Sequence, residues 1–145
     1  MIELMKQLLK ENDMCVLATC SANVPHCSLM AYASNDAGDV IYMVTRRNTR
    51  KYANLAGNPH VSLLVDTRSV GGLVGRSGVK ALTVAGTFVP VSEAAERRRI
   101  LQRIVEKHPH LKELVDEPDA EPFAITVQTL LLLDGVLNAS YATLT

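Results

Sequence analysis

Two apolar periods alternate along the chain. Ile2, Met5, Leu8 and Leu9 recur at helical spacing until Asn12 and Asp13 break the pattern, which predicts a first helix over residues 2–10. Residues 14–19, 26–33 and 40–44 then read as three β-prone strands, with turns over 21–24 and 35–39, and so as an antiparallel meander. A short helix over 49–56 is stopped by Gly57, Asn58 and Pro59, and a strand follows over 61–65. Beyond a glycine-bearing loop at 68–78, a long strand over 80–91 carries Gly86, a position that suits a bulge or bend. Ser92 opens a second clear helix in which Ile100, Leu101, Ile104 and Val105 form an apolar stripe. Arg97, Arg98, Arg99 and Arg103 take its other sides, with Glu93 four residues before Arg97, and predict a solvated face. After Pro109 come a short turn at 110–115 and an acidic, proline-flanked loop at 116–122. Strands over 123–133 and 136–144 meet at Asp134-Gly135, a hairpin signal, and the leucine run 130–133 reads as buried on both faces, as a barrel strand covered by a helix or a second subunit would be.

About seven strands, two or three helices and no strand–helix alternation exclude a doubly wound sheet. They predict a mainly β fold with flanking helices, a small closed or partly closed antiparallel barrel in a single domain over 1–145. There is no internal repeat.

Composition narrows the function classes. Fifteen basic and fifteen acidic residues cancel, so no global field draws the chain to nucleic acid or an anionic membrane, and any anion site is local. Four Tyr, two Phe and no Trp make a poor platform for stacking bases. The amphipathic, acid-bearing N-terminus lacks the pattern of a signal peptide, and the apolar runs are too short to span a bilayer; the expected location is the cytoplasm. Cys15, Cys20 and Cys27 are odd in number and without CxxC spacing, which points to free thiols rather than a disulfide framework or zinc site.

The local anion site is legible at the junction of the third strand with the short helix. Asn48 or Thr49 can cap that helix, whose first-turn N–H groups have no helical partner, and Arg46, Arg47, Arg50 and Lys51 add positive charge. A phosphate suits such a corner; the alternative is a solvated basic turn. Other chemistry is excluded by register. The stretch 71–78 lacks the spacing of a P-loop, and Ser77 is in no Gly-x-Ser-x-Gly elbow. His26, His60, His108 and His110 are scattered without the partners of a metal site, and His26, beside the predicted hairpin, is the one of interest. A barrel with a phosphate corner and no nucleophile, metal cluster or acid–base pair implies that a bound cofactor supplies the chemistry.

The ordered set of strand, Thr45, Thr49-Arg50-Lys51, Leu55, Asn58-Pro59 and Val61-Ser62-Leu63 resembles the FMN-binding split barrel family, the pyridoxamine 5′-phosphate oxidase-like flavoproteins. The likeness runs over about residues 1–133 and is strongest over 41–65. It implies a six- to seven-stranded split barrel and a homodimer with FMN in a cleft between subunits. Arg50 and Lys51 would hold the flavin phosphate with Thr49 and Arg46, and Thr45 would lie near the ribityl chain or ring edge. Ser28, Leu29, Met30 and Ala31 would pass their backbone along the polar edge of the ring, a role that simple barrel core would also explain.

The chain departs from that pattern. Cys27 stands where the oxidases proper open the second strand's motif with a basic residue, and the position of a flavin-contacting glutamine falls near Ala81. No tryptophan is present and no arginine follows Arg103, so the C-terminal pair of that family is missing, and two extra residues lengthen the loop before Thr49. These losses argue against vitamin B6 synthesis and leave an FMN-dependent oxidoreductase of open substrate. The alternative is a non-catalytic protein of the same fold holding haem, deazaflavin or flavin, for which His26, His60 or the His108–His110 pair would be ligands. RNA binding through the basic corner and Arg97 to Arg103 is the weakest reading.

Overall fold

The first helix, α1 (Ile2–Glu11), drops Met5 and Leu9 into the barrel, and β1 (Met14–Ser21) follows after the break at Asn12 and Asp13. The computed structural model describes residues 1–67 and 79–144; the predicted glycine-bearing loop at 68–78, with Ser77, lies outside the described residues. β1 pairs with β2 (Val24–Ala31) through a two-residue loop, because Ser21 faces Val24 and both Ala22 and Asn23 take positive φ, 51° and 64°. That backbone matches the twist of paired strands. The predicted second strand, 26–33, is thus shifted towards the turn and broken at Tyr32. The Tyr32 N–H still donates to Asp13 O at 3.0 Å, one step beyond the β1–β2 ladder, while its hydroxyl donates to Leu9 O at 2.6 Å and ties the end of β2 to α1. The chain resumes as β3 (Ala33–Ser34) and turns into β4 (Val40–Arg46).

Helix α2 (Arg50–Gly57) and β5 (His60–Asp66) come next. The long strand β6 (Lys80–Pro90) pairs along its length with β7 (Ala120–Asp134). Between them lie α3 (Ala94–Lys107), a 3-10 turn (Pro109–Leu111) and the single turn α4 (Lys112–Val115). The last strand is β8 (Asn138–Thr143). The sheet runs β2-β1-β5-β6-β7-β4-β3, with β8 on the second half of β7 beyond the end of β4, and every pair is antiparallel. It is the expected mainly β fold of the split-barrel kind.

Gly86 is a bulge position, as expected. Register slips there from Ala85 opposite Thr129 to Gly86 opposite Val127, and a Cβ at Gly86 would fall 2.7 Å from both Ile125 Cγ2 and Thr126 O. Backbone cannot yield to that, so only glycine fits.

Two apolar clusters lie on opposite faces of the sheet. Leu17, Ile41, Met43, Leu63, Val84 and Phe123 fill the barrel, whereas Ile100 and Ile104 of α3 cover Ala33, Val44 and Ala124 from outside. Burial on both faces therefore falls on β4 and the first half of β7. The leucine run has no helix over its second face among the described residues: Leu130 and Leu132 point inward, while Leu131 and Leu133 remain 41% and 42% exposed in the single chain. Strand alternation sends every second leucine of the run to that face. Leu131 belongs to a cross-strand row on the outer face, Leu29, Val16, Leu64, Thr83, Leu131 and Tyr141, in which each residue sits opposite the next. Such an apolar band is larger than scattered surface residues would give.

The arginines of α3 also differ from expectation. Arg97 ignores Glu93 and reaches β7, donating to Glu121 at 3.0 Å and to Val91 O at 3.1 Å. Arg103 donates to Ser34 O and Asp36, tying α3 to the β3–β4 turn.

Candidate cofactor site

The site is built where β4 hands over to α2. Thr49 is extended and caps α2, its hydroxyl accepting from Tyr52 N at 3.2 Å and donating to Arg46 O at 3.0 Å. The N–H groups of Arg50 and Lys51 lie in the first turn, where no helical carbonyl reaches them. Beside them is a cavity of about 340 Å³ lined by Leu29, Met30, Ala31, Val44, Thr45, Arg46, Thr49, Lys51, Leu111 and Leu114. Seven of the nine predicted site residues meet there.

Lys51 is the chemical centre of this cavity. Its ammonium is half-buried and its hydrogen-bond partner is the thioether of Met30, Nζ to Sδ 3.0 Å, a weak acceptor. Burial lowers its pKa from the ordinary value. A charged donor held against sulfur, with no carboxylate partner among the described residues, is short of an anion. Thr45 is buried on the same wall, and its hydroxyl together with the free first-turn N–H groups supplies neutral donors. The donor set fits a phosphate.

The remaining predicted residues are placed differently. Ser28 faces inward on β2 opposite Leu17 and does not line the cavity. Arg50 points to another cleft, between α2 and the β1–β2 hairpin, where it lies with His26 and Asn54. Arg46 lines the cavity, but its guanidinium donates to both Asp119 oxygens, at 3.2 and 3.0 Å. That hydrogen bond holds the Asp119 carboxyl below the ordinary range and Arg46 above it. Arg47 likewise turns to Glu121 at 3.4 Å. Burial would raise the Glu121 carboxyl, but hydrogen bonds and charge from Arg97 and Arg47 outweigh it and hold the group low. The supposed acidic loop is the counter-charge of half the basic corner.

Sequence reasoning missed Leu111 and Leu114, which close the apolar wall from the turn after α3. Their only signal was two leucines in a short segment behind Pro109.

A family model described as pyridoxamine 5′-phosphate oxidase matches residues 1–134. The chain belongs to this family. Within the family's wider fold, a heme binding protein from Mycobacterium smegmatis superposes with TM-score 0.82 at 17% identity, covering 96% of this chain and 56% of that one. An FAD-binding protein from Mesorhizobium loti gives TM-score 0.75 at 19% identity, covering 91% and 93%. The heme storage protein HutZ from Vibrio cholerae gives 0.72 at 20%, covering 92% and 93%. These three share the fold. In sequence, a pyridoxamine 5′-phosphate oxidase homolog from Schizosaccharomyces pombe is 40% identical over 68 residues, which span 41% of this chain and 36% of that relative. Among the described residues, no helix of this pyridoxamine 5′-phosphate oxidase family member is long and apolar enough to cross a membrane.

Proposed function

We propose that this chain binds FMN in the Lys51 cavity and works as a flavin-dependent oxidoreductase of the cytoplasm whose substrate is not pyridoxamine 5′-phosphate. The observation that carries the reading is the half-buried Lys51 ammonium, which faces a phosphate-sized set of donors and, among the described residues, has only sulfur as its partner. Lys51, Thr45 and the first turn of α2 hold the phosphate, Leu111 and Leu114 give the apolar wall, and β2 offers backbone groups to the ring edge. The bound flavin supplies electron transfer at its ring. The protein binds, orients and shields it, which needs no acid–base side chain.

The protein acts as a homodimer in this reading. Leu29 belongs both to the cavity and to the apolar row on the outer sheet face, so a second copy covering that row would also border the cofactor. Haem is the second ligand to weigh, because two structural neighbours are named for it. The Lys51 cavity has no histidine in its lining, and His108 is buried with its Nε2 2.8 Å from Tyr32 O, which favours flavin.

The test is the visible spectrum of the freshly purified protein, followed by denaturation and chromatography of the released molecule. Stoichiometric FMN is expected. A haem band, or a colourless protein that fails to take up added FMN, would overturn the assignment.

A further inference from the structure

The chain has five methionines, and the structure sets one of them apart. Met5 and Met43 are fully buried in the barrel, whereas Met1 and Met14 are 65% and 40% exposed. Met30 belongs to the barrel core and is only 6% exposed, yet it forms part of the wall of the Lys51 cavity, so a small solute entering the cavity meets it. Its Sδ accepts from the Lys51 ammonium at 3.0 Å. A thioether is a weak acceptor, which leaves Lys51 ready to exchange it for an anion.

We propose that Met30 is a site of reversible oxidation, and that its sulfoxide withdraws Lys51 from the anion the cavity would hold. The oxidant is hydrogen peroxide, small enough to enter. A thioether carries two lone pairs, so the contact with Lys51 leaves one for the reaction. One peroxide oxygen is transferred to Sδ as the S–O bond forms and the O–O bond breaks; sulfur loses two electrons, and the other oxygen leaves as water.

The product suits this position. A sulfoxide is polar, and burying one is costly unless a donor meets it. Met5 and Met43 sit in the apolar cluster of the barrel, whereas at Met30 the donor is already in place. The sulfoxide oxygen accepts from the ammonium in a charge-assisted bond that replaces the weak contact with sulfur. Lys51 is then satisfied within the fold, and an incoming phosphate has to break that bond. Oxidation therefore lowers anion affinity without unfolding the barrel. The consequence for FMN rests on the flavin reading above; the chemistry at Met30 does not.

The test treats the full chain, freed of FMN, with hydrogen peroxide and maps oxygen uptake at each methionine by peptide mass spectrometry. Met30 is expected to gain one oxygen while the circular dichroism holds and Met5 and Met43 stay unmodified. Lys51, followed by NMR of its labelled Cε, is expected to titrate at higher pH after oxidation, because the new acceptor favours the charged form. FMN affinity should fall about ten-fold, and a methionine sulfoxide reductase should restore both readings. Met30→Leu, which still oxidises at Met1 and Met14, should keep its affinity under peroxide. Met30→Gln, an uncharged side chain with a stronger acceptor, should show the loss without peroxide. The proposal is overturned if Met30 stays unmodified in the folded chain, if Lys51 does not respond to its oxidation, or if peroxide weakens Met30→Leu as much as wild type. It is equally overturned if a chain that binds FMN binds it as tightly after Met30 is oxidised. A Lys51 response in a chain that takes up no FMN would instead remove the flavin reading and leave this one standing.

Discussion

Arg46 and Arg47 stand four residues before Arg50 and Lys51, in the same basic segment, and the fold treats the two pairs in opposite ways. β4 pairs with β7 so that Thr45 faces Glu121 and Arg46 faces Ala120, which brings Asp119 and Glu121 beside the first pair and neutralises it. The second pair lies on α2, which has no acidic residue in its first turn and docks on β1 rather than β7. Charge density along the sequence is equal, yet among the described residues the second pair alone is left without a carboxylate partner. Clustered cations mark an anion site only where tertiary structure withholds the counter-charge.

The sharpest way to break this contrast is to reverse the charge at Lys51. Lys51→Glu should lower FMN affinity by about a hundred-fold or more, because it removes a charge-assisted contact and adds repulsion. Lys51→Met should also lose cofactor but keep or raise the melting temperature, since a lysine with a lowered pKa is a buried charge the fold tolerates at a cost. Isothermal titration with FMN and a thermal melt on each variant check both statements.

Glu121 is the converse case. Glu121→Ala releases Arg47 and Arg97 together, and a stability loss of about 1–2 kcal/mol is expected in a urea melt, modest because Arg47 is largely solvated. Its pH dependence has a definite sign. The folded-state pKa is lowered, so the unfolded chain binds the proton more readily in acid. The stabilisation is complete above the ordinary glutamate value of 4.5 and is lost as the pH falls below it. Glu121→Gln should therefore flatten the wild-type decline in stability below that value. The smallest effect belongs to Arg46→Ala. An exposed pair with Asp119 contributes little, and both melting temperature and FMN affinity are expected to stay within error of wild type.

Much of this was readable from residue order. The strands around the meander, the helix stop at Gly57 to Pro59 and the bulge at Gly86 rest on local rules, and local rules survive folding. What could not be read were pairings over long separations. Asp119 and Glu121 looked like a loop because nothing near them in sequence tells which strand they meet, and Arg97 chose Glu121 over Glu93 for the same reason. Whether a helix or a second subunit covers the outer face of the leucine run depends on where α3 lies, and α3 covers the other half of β7. The parting of Arg50 from Lys51, by contrast, was available in the sequence: adjacent helix positions do not share a face. The family pattern of paired cations hid it.

The most direct measurement is FMN titration, read by flavin fluorescence, of wild type, Lys51→Ala and the Arg46→Ala/Arg47→Ala double variant side by side. The account predicts that Lys51→Ala weakens binding by about ten- to a hundred-fold while the double variant matches wild type. Equal loss in both, or full flavin affinity without Lys51, would show that the counter-charges on β7 do not decide where the cofactor binds.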